Sequence, residues 1–255
     1  MSSLIILLLL LIIIIIIKNI KKELFTNNPK IALCLSGQLR NKDIFLKSLK
    51  EKVIDKFNPD IFLYIDEKNA TPEFISSLKP KSYHITNKKP QSKNNLKPNT
   101  ISMFEKIYKC NKLKSDYEKQ FNFKYDIVIR MRPDIMIYSD FDFSNFDKKY
   151  LYYPVNIVNK FNECLNLENT LNYGITDQIS YGSSDIMNKH SEIYTHLNNK
   201  QEFDCKLPEV ILKKYIYQNK IPIKKFYLKW SIIDYINFIT LNFSKEKKNN
   251  FKNMK

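Results

Sequence analysis

Two guanidinium groups and a carboxylate lie close together where one apolar stretch of the chain ends. Residues 125–131 have the pattern of a buried strand, in which the odd-numbered side chains share one face and the even-numbered ones the other. Arg130 and Arg132 therefore lie on the same face. Pro133 has no N–H to donate, so the strand should end there or lie at the edge of the sheet. Asp134 follows directly after it. The spacing indicates an anion-binding site at the end of a central strand.

Arginine is rare in this chain, which makes its positions informative. Of 42 lysines and arginines only three are arginine, namely Arg40, Arg130 and Arg132. A guanidinium forms two parallel hydrogen bonds to phosphate or carboxylate, which an ammonium cannot reproduce. We interpret these positions as a diphosphate site. The alternative is that Arg130 and Arg132 make structural ion pairs with Asp126 or Asp66.

Length and charge limit the classes of protein to consider. The 255 residues leave about 230 after the N-terminal segment, enough for one large domain with its own core. The net charge of +16 is compatible with nucleic acid or an anionic membrane as a partner. The lysines are spread along the whole chain, however, so we expect an anionic substrate and no specific nucleic acid partner.

An unbroken apolar run occupies residues 4–17. As a helix these 14 residues span about 21 Å, short of a hydrocarbon core of about 30 Å unless flanking residues extend the span. Lysines follow the run in place of a small-residue cleavage site, so residues 1–22 are predicted to be an uncleaved, single-pass membrane anchor. The position of the lysines favours a cytoplasmic domain, whereas a lumenal enzyme would carry them before the run; the side of the membrane stays open.

Alternating strand and helix patterns predict an α/β domain over residues 28–230, followed by a C-terminal helix and basic tail over 231–255. Asn41 is predicted to cap the first helix, and residues 86–99 are predicted to be a polar loop. The first seven predicted elements are strand 30–36, helix 42–57, strand 60–65, a short helix from 71, strand 82–85, helix 101–123 and strand 125–131.

Polar residues follow three of the predicted strands. They are residues 36–40, Asp66 and residues 130–134. Ligands of open parallel sheets bind beyond the carboxyl ends of the strands, so we expect these residues to converge on one site. Gly37 would let backbone N–H groups approach a phosphate. The sequence contains neither a P-loop nor a GxGxxG motif.

Five segments, taken in order, resemble a group of glycosyltransferase-like proteins found in bacterial surface-polysaccharide loci and in large DNA viruses. The resemblance covers about residues 30–228 and implies a GT-A-like fold that binds nucleotide-diphospho-sugars. The segments are LCLSGQLR, PDIFLYI, KCNKLKSDYEKQFNFKYDIVIRMRPDI, GITDQISYGSSDIM and PEVILKKYI.

The resemblance also implies where the donor lies. In that fold a DxD motif after a central strand holds a divalent metal and the donor diphosphate, and here Arg132, Pro133 and Asp134 take its place. Asp134 could help bind Mg²⁺ or Mn²⁺; otherwise the arginines neutralise the leaving diphosphate themselves. The residues predicted to bind the donor are Ser36, Gly37, Gln38, Arg40, Asp66, Arg130, Arg132, Asp134 and Gln178.

Three residues are predicted to take part in catalysis: Asp177, Arg132 and Asp134. Asp177 is the candidate general base that deprotonates a sugar hydroxyl, its alternative role being a helix or turn cap. Glu209, at a helix start, is interpreted as a partner of the helix dipole and not as a base.

Together these features predict a membrane-anchored glycosyltransferase that moves a sugar from a nucleotide-diphosphate donor to a glycan or lipid-linked acceptor. The first alternative is a non-catalytic basic protein that binds nucleic acid or acidic glycans, which clustered arginines on an exposed aromatic face would favour. The second is a degenerate, inactive transferase.

Overall fold

The structure is a computed structural model that describes most of the predicted domain. The predicted anchor over residues 1–22 lies outside the described residues, as do residues 234–255 and part of the predicted loop. The described ranges are residues 29–68, 70–88, 95–158, 164–166, 175–199 and 206–233.

A seven-stranded sheet forms the centre of the domain, with the strand order β10-β6-β9-β4-β1-β2-β3. Strand β9 is antiparallel to its neighbours β4 and β6, and all other neighbours are parallel. The pairs β5–β11 and β7–β8 form two small sheets. The strands are β1 (Ile31–Gly37), β2 (Asp60–Asp66), β3 (Ser82–Thr86), β4 (Ile127–Met131), β5 (Ile135–Ile137), β6 (Leu151–Pro154), β7 (Asn156–Val158), β8 (Cys164–Asn166), β9 (Ile179–Gly182), β10 (Ile223–Phe226) and β11 (Trp230–Ile232).

Helices flank this sheet, so the prediction of an α/β fold with a mostly parallel central sheet is confirmed. Thr71 and Ser183 cap two of the helices by accepting hydrogen bonds from backbone N–H groups. Asn41 occupies the N-cap position of the helix that follows it, as predicted, but its side chain makes no capping hydrogen bond. The helices are α1 (Lys42–Leu49), a π-helical segment (Lys50–Ile54), α2 (Asp55–Phe57), α3 (Pro72–Leu78), α4 (Pro98–Gln120), α5 (Ser184–Ser191), α6 (Ile193–Asn199) and α7 (Pro208–Gln218).

Strand β1 is apolar on both faces because each face of the sheet carries a core. Leu33 and Leu35 pack in the core that includes buried residues of α1 and α3. Ala32 and Cys34 pack in the opposite core, which includes buried residues of α4, α5, α6 and α7. A strand covered on both sides needs no polar face, which explains its unbroken apolar run.

Strand β4 begins two residues later than predicted, at Ile127. From there the expected alternation holds, with Ile127 in one core and Val128 in the other. Tyr125 packs in the same core as Val128, so the prediction that it shares the face of Ile127 is wrong. The residue precedes the strand, and its hydroxyl donates a hydrogen bond of 2.7 Å to Oδ2 of Asp60.

The end of the described chain pairs with the segment that follows β4. Residues 231 and 232, predicted to begin a C-terminal helix, instead belong to β11, which is antiparallel to β5. Trp230 at the start of β11 is almost fully buried, and the N–H of Ile233 donates to the carbonyl of Asp134 at 2.9 Å. Burial of the strand against the core fixes the backbone at Asp134.

Candidate active site

The candidate site is a cavity of about 540 Å³ beyond the strand ends on one side of the central sheet. The carboxyl ends of β1, β2, β3 and β4 meet there because these strands are parallel. The residues that precede β9 reach the same side because that strand runs the opposite way. Small-molecule sites have volumes of roughly 300–1,000 Å³, so the cavity has the size of a ligand pocket.

The cavity lies where the order of the strands reverses. The chain passes from β1 outward to β2 and β3, then crosses through α4 to β4 on the other side of β1. A crevice forms at such a switch point, beyond the ends of the two central strands. Gly37 lies in it at φ +131°, a conformation that side chains rarely adopt, and a Cβ there would lie 3.5 Å from Cδ of Pro133. Glycine therefore permits the turn after β1.

Most residues predicted to bind the donor converge on this cavity. Arg130 and Asp134 are not among the lining residues; both are buried behind it. Asp177, predicted as the base, also lines the cavity. The predicted donor-binding residues that line it are Ser36, Gly37, Gln38, Arg40, Asp66, Arg132 and Gln178.

Arg132 and Asp134 form a bidentate ion pair at the end of β4. Nε of Arg132 donates to Oδ1 of Asp134 at 3.0 Å, and Nη2 donates to Oδ2 at 2.6 Å. Arg40 approaches the same carboxylate from the loop after β1, with Nη1 3.7 Å from Oδ2. Asp134 is fully buried, whereas Arg132 keeps 22% of its side chain exposed. The carboxylate thus holds two arginines at the wall of the cavity.

Arg130 lies on the same face as Cys34 of β1 and Ser180 of β9, its partners in the strand register. Only 3% of it is exposed, and its Nε and Nη2 have no hydrogen-bond partner. Burial lowers the pKa of the guanidinium to about 10, and the nearby carboxylate of Asp177 partly offsets that effect. A buried cation with unpaired donors is costly, so Asp177 is its main electrostatic compensation.

Asp177 and Gln178 reach the cavity through the loop that enters β9. The N–H of Arg132 donates to the carbonyl of Gln178 at 3.1 Å, which ties this loop to the end of β4. Asp177 is buried, and its Oδ1 has no hydrogen-bond partner. Asp177 lines the cavity, so its carboxylate is the candidate to accept a hydrogen bond from a ligand hydroxyl, and Oδ1 itself is buried.

Asp66 at the end of β2 is paired with a lysine that the sequence analysis did not single out. Nζ of Lys106 lies 2.6 Å from Oδ1 and 2.8 Å from Oδ2 of Asp66. Both residues line the cavity. A signal for Lys106 exists in the sequence, because it lies one turn from Ser102 and from Cys110, on the buried face of α4.

Glu209 is a second carboxylate that lines the cavity. It lies in the first turn of α7 and lines the cavity together with Asp177. Burial raises its pKa, and the negative charge of Asp177 raises it further, while Arg132 acts in the opposite direction. The site therefore holds two interacting carboxylates. Glu209 takes up a proton more readily than an ordinary glutamate does.

Two helices begin at the cavity, since Asn99 and Thr100 of α4 and Pro208 of α7 line it. The first turn of the 23-residue helix α4 contains no acidic side chain to offset its partial positive charge. Such an N-terminus attracts anions. Together with Arg40 and Arg132, it makes this wall of the cavity electropositive.

Asp134 does not fit the role of a magnesium or manganese ligand. Both of its oxygens are engaged by Arg132, and the residue does not line the cavity. The described residues also contain no group of three or more His, Cys, Asp or Glu side chains that could hold a metal ion.

No family model matches the chain, and no curated protein matches it. Among residues 29–233, so far as they are described, no helix is long and apolar enough to cross a membrane.

Proposed function

We propose that the protein is a glycosyltransferase that moves a sugar from a nucleotide-diphosphate donor to a glycan or lipid-linked acceptor. The observation that carries the proposal is the meeting of three polar strand ends in one ligand-sized cavity at the switch point of the sheet. Switch points of open α/β sheets are where such ligands bind. The GT-A-like fold that the sequence resemblance implies would place its nucleotide-sugar in the same position.

The donor diphosphate would lie between the loop after β1 and the start of α4. Arg132 is held there by its bidentate pair with Asp134, and Nη1 of Arg40 lies 3.7 Å from the same carboxylate. Gly37 leaves room for backbone N–H groups to approach. The lysines at positions 68, 88 and 106 add further positive charge to the lining. A guanidinium held in place by a carboxylate loses little freedom when it binds a phosphate, which favours tight binding.

Asp177 would act as the base of the transfer. Its carboxylate, which lines the cavity, accepts the proton of an acceptor hydroxyl as the hydroxyl oxygen forms a bond to the anomeric carbon of the sugar. The bond from this carbon to the diphosphate breaks, and the electron pair leaves with the nucleoside diphosphate. The cations around the diphosphate stabilise this developing charge.

The arginine placement separates this proposal from a non-catalytic basic protein. Two of the three arginines, Arg40 and Arg132, line the cavity, and the third, Arg130, is buried behind it. A protein that binds nucleic acid or acidic glycans would be expected to expose such residues on an open surface.

The anchor is part of the same proposal. We expect residues 1–22 to hold the protein on a membrane, close to a lipid-linked acceptor. Deleting them should release a soluble, folded domain, whereas the full chain should resist extraction with alkaline carbonate. Full-length protein that carbonate extracts would contradict the anchor without bearing on the donor site.

A donor screen by thermal shift tests the proposal. The domain should gain about 5–10 °C in melting temperature with one of UDP-, GDP- or CDP-sugars at about a hundred times its Kd. Release of nucleoside diphosphate in the presence of glycan acceptors then reports transfer. Stabilisation by RNA or heparin alone would favour the binding protein, and donor binding without turnover would favour the inactive transferase.

A further inference from the structure

We infer that this site binds its donor without a divalent cation, and that Asp134 is a positioning residue for Arg132 and Arg40. The inference rests on the proposed function and concerns how the site neutralises the diphosphate. Asp134 occupies the place in the sequence where the resemblance implies a metal-binding carboxylate, but its contacts are with arginine.

The carboxylate of Asp134 already has its cation. Arg132 occupies both oxygens through bonds of 3.0 and 2.6 Å, and Arg40 lies 3.7 Å from one of them. The side chain is fully buried behind the cavity wall. Mg²⁺ needs six ligands in a nearly ideal octahedron. To bind Asp134 it would have to displace a bidentate pair and then lie beside two guanidinium groups of like charge, which is unfavourable.

The other carboxylate at a strand end is engaged in the same way. Asp66 follows β2 and is held by Lys106 at 2.6 and 2.8 Å. The remaining buried or half-buried cavity carboxylates, Asp177 and Glu209, come from the loop before β9 and the first turn of α7. In the described part of the chain no group of three or more His, Cys, Asp or Glu side chains could hold a metal ion, and the carboxylate of Asp177 already compensates the buried charge of Arg130.

The same wall supplies positive charge from protein groups instead. Five cationic side chains, Arg40, Lys68, Lys88, Lys106 and Arg132, line the cavity together with four acidic ones, Asp66, Glu67, Asp177 and Glu209. The N-terminus of α4 adds its partial charge, with no acidic residue in its first turn. Two of the three arginines, Arg40 and Arg132, lie next to Asp134, although lysine is the common cation elsewhere in the chain. The bidentate carboxylate fixes the plane of the Arg132 guanidinium, and a guanidinium of fixed orientation suits phosphate recognition.

Calorimetric titration of the full chain with UDP, GDP and CDP tests the inference. Each titration is run with excess EDTA and again with excess Mg²⁺ or Mn²⁺. We expect the preferred nucleotide to bind with the same Kd in every arm. Loss of binding in EDTA that Mg²⁺ or Mn²⁺ restores would overturn the inference and leave the proposed function standing. Failure of all three nucleotides to bind in any arm would overturn both.

The positioning role of Asp134 needs its own test. Asp134→Asn should weaken nucleotide binding about tenfold or more in EDTA and in Mg²⁺ alike, since it removes a charge-assisted partner of Arg132. Asp116→Asn, at an exposed ion pair on α4, is the control and should leave the affinity unchanged. If Asp134 acts through Arg132 and Arg40, the loss of affinity in the double variant Asp134→Asn/Arg132→Lys should be smaller than the sum of the two single losses.

A purely structural role for Asp134 gives different results. The Asn variant would then melt at a lower temperature and bind nucleotide normally when measured well below its melting temperature. Additive losses in the double variant, or normal affinity of Asp134→Asn, would overturn the positioning role.

Discussion

Lys114 and Glu118 form a buried ion pair one turn apart on α4, with Nζ 2.9 Å from Oε2. Nζ of Lys114 also donates to Ser184 and Asn188 of α5, and Oε1 of Glu118 accepts a hydrogen bond from the N–H of Tyr125. Lys114 is fully buried and Glu118 nearly so. The pair therefore joins α4 to α5 and to the segment before β4, the strand that leads into the cavity.

Removing the cation of this buried pair should destabilise the folded protein. Lys114→Met leaves the carboxylate of Glu118 buried without its cation, which typically lowers the free energy of unfolding by about 3–5 kcal/mol. Urea denaturation measures the change. Lys112→Met is the matched control, because Lys112 pairs with Asp116 at the same spacing on the same helix but in solvent. Its loss should be at most about 0.5 kcal/mol. Equal losses would contradict the importance of burial.

The sequence predicted the layers of the fold because the strands are apolar on both faces and alternate with helices. It missed β11, where Trp230 begins an apolar stretch that also suits a helix. Only the pairing with β5, more than ninety residues earlier in the chain, decides between the two. Short apolar segments are ambiguous in this way whenever a distant partner determines their structure.

The candidate site was predicted in part for a similar reason. Strand ends identify Arg132 and Asp66, because parallel strands bring their carboxyl ends together. Lys106 and Glu209 come from helices, and their contribution depends on how those helices pack against the sheet. Strand alternation also places Arg130 beside Arg132 but does not reveal that the first is buried while the second reaches the cavity.

His190 should make the protein sensitive to acid. The residue is buried on α5, and burial, together with the nearby charge of Arg130, lowers its pKa to about 3. The unfolded chain takes up this proton near pH 6.5, the folded protein only near pH 3. The neutral imidazole therefore makes its full contribution to the free energy of unfolding above about pH 6.5. This contribution is lost as the pH falls toward 3, by up to about 1.4 kcal/mol per pH unit.

Urea midpoints between pH 7 and 4 would measure this effect. His190→Gln should show a shallower decline than the parent, because glutamine does not titrate. His84→Gln on β3, where the ring is exposed and stacked on Tyr64, is the control and should decline as the parent does. An unchanged slope in His190→Gln would show that other groups account for the acid sensitivity.

Asp177→Asn should lower the rate of transfer by about 10²-fold or more, the usual effect of losing a positioned base. The affinity for the donor should remain, since Asp177 faces the acceptor hydroxyl in the proposed reaction. Release of nucleoside diphosphate measures transfer, and calorimetry measures donor affinity. Asp185→Asn, at an exposed pair with Lys124, is the control and should retain full activity. Unchanged turnover in Asp177→Asn would remove this residue from the mechanism.

Arg132→Lys should fail to bind donor normally although it keeps the charge. The guanidinium holds Asp134 through two bonds and reaches the cavity, whereas a lysine offers a point charge and cannot form two parallel bonds. Charge-assisted hydrogen bonds contribute about 1.5–3 kcal/mol each. Losing one should weaken nucleotide-sugar binding about 10- to 100-fold, measured by calorimetry well below the melting temperature.

Arg130→Lys is the informative companion to this variant. If both guanidinium groups bind one diphosphate, as the strand spacing predicts, both variants lose affinity. Arg130 is 3% exposed and absent from the cavity lining, so its position favours a change in melting temperature alone. We therefore expect normal donor affinity in Arg130→Lys and weakened affinity in Arg132→Lys. Normal affinity in both would mean that the end of β4 supports the fold and does not bind the donor.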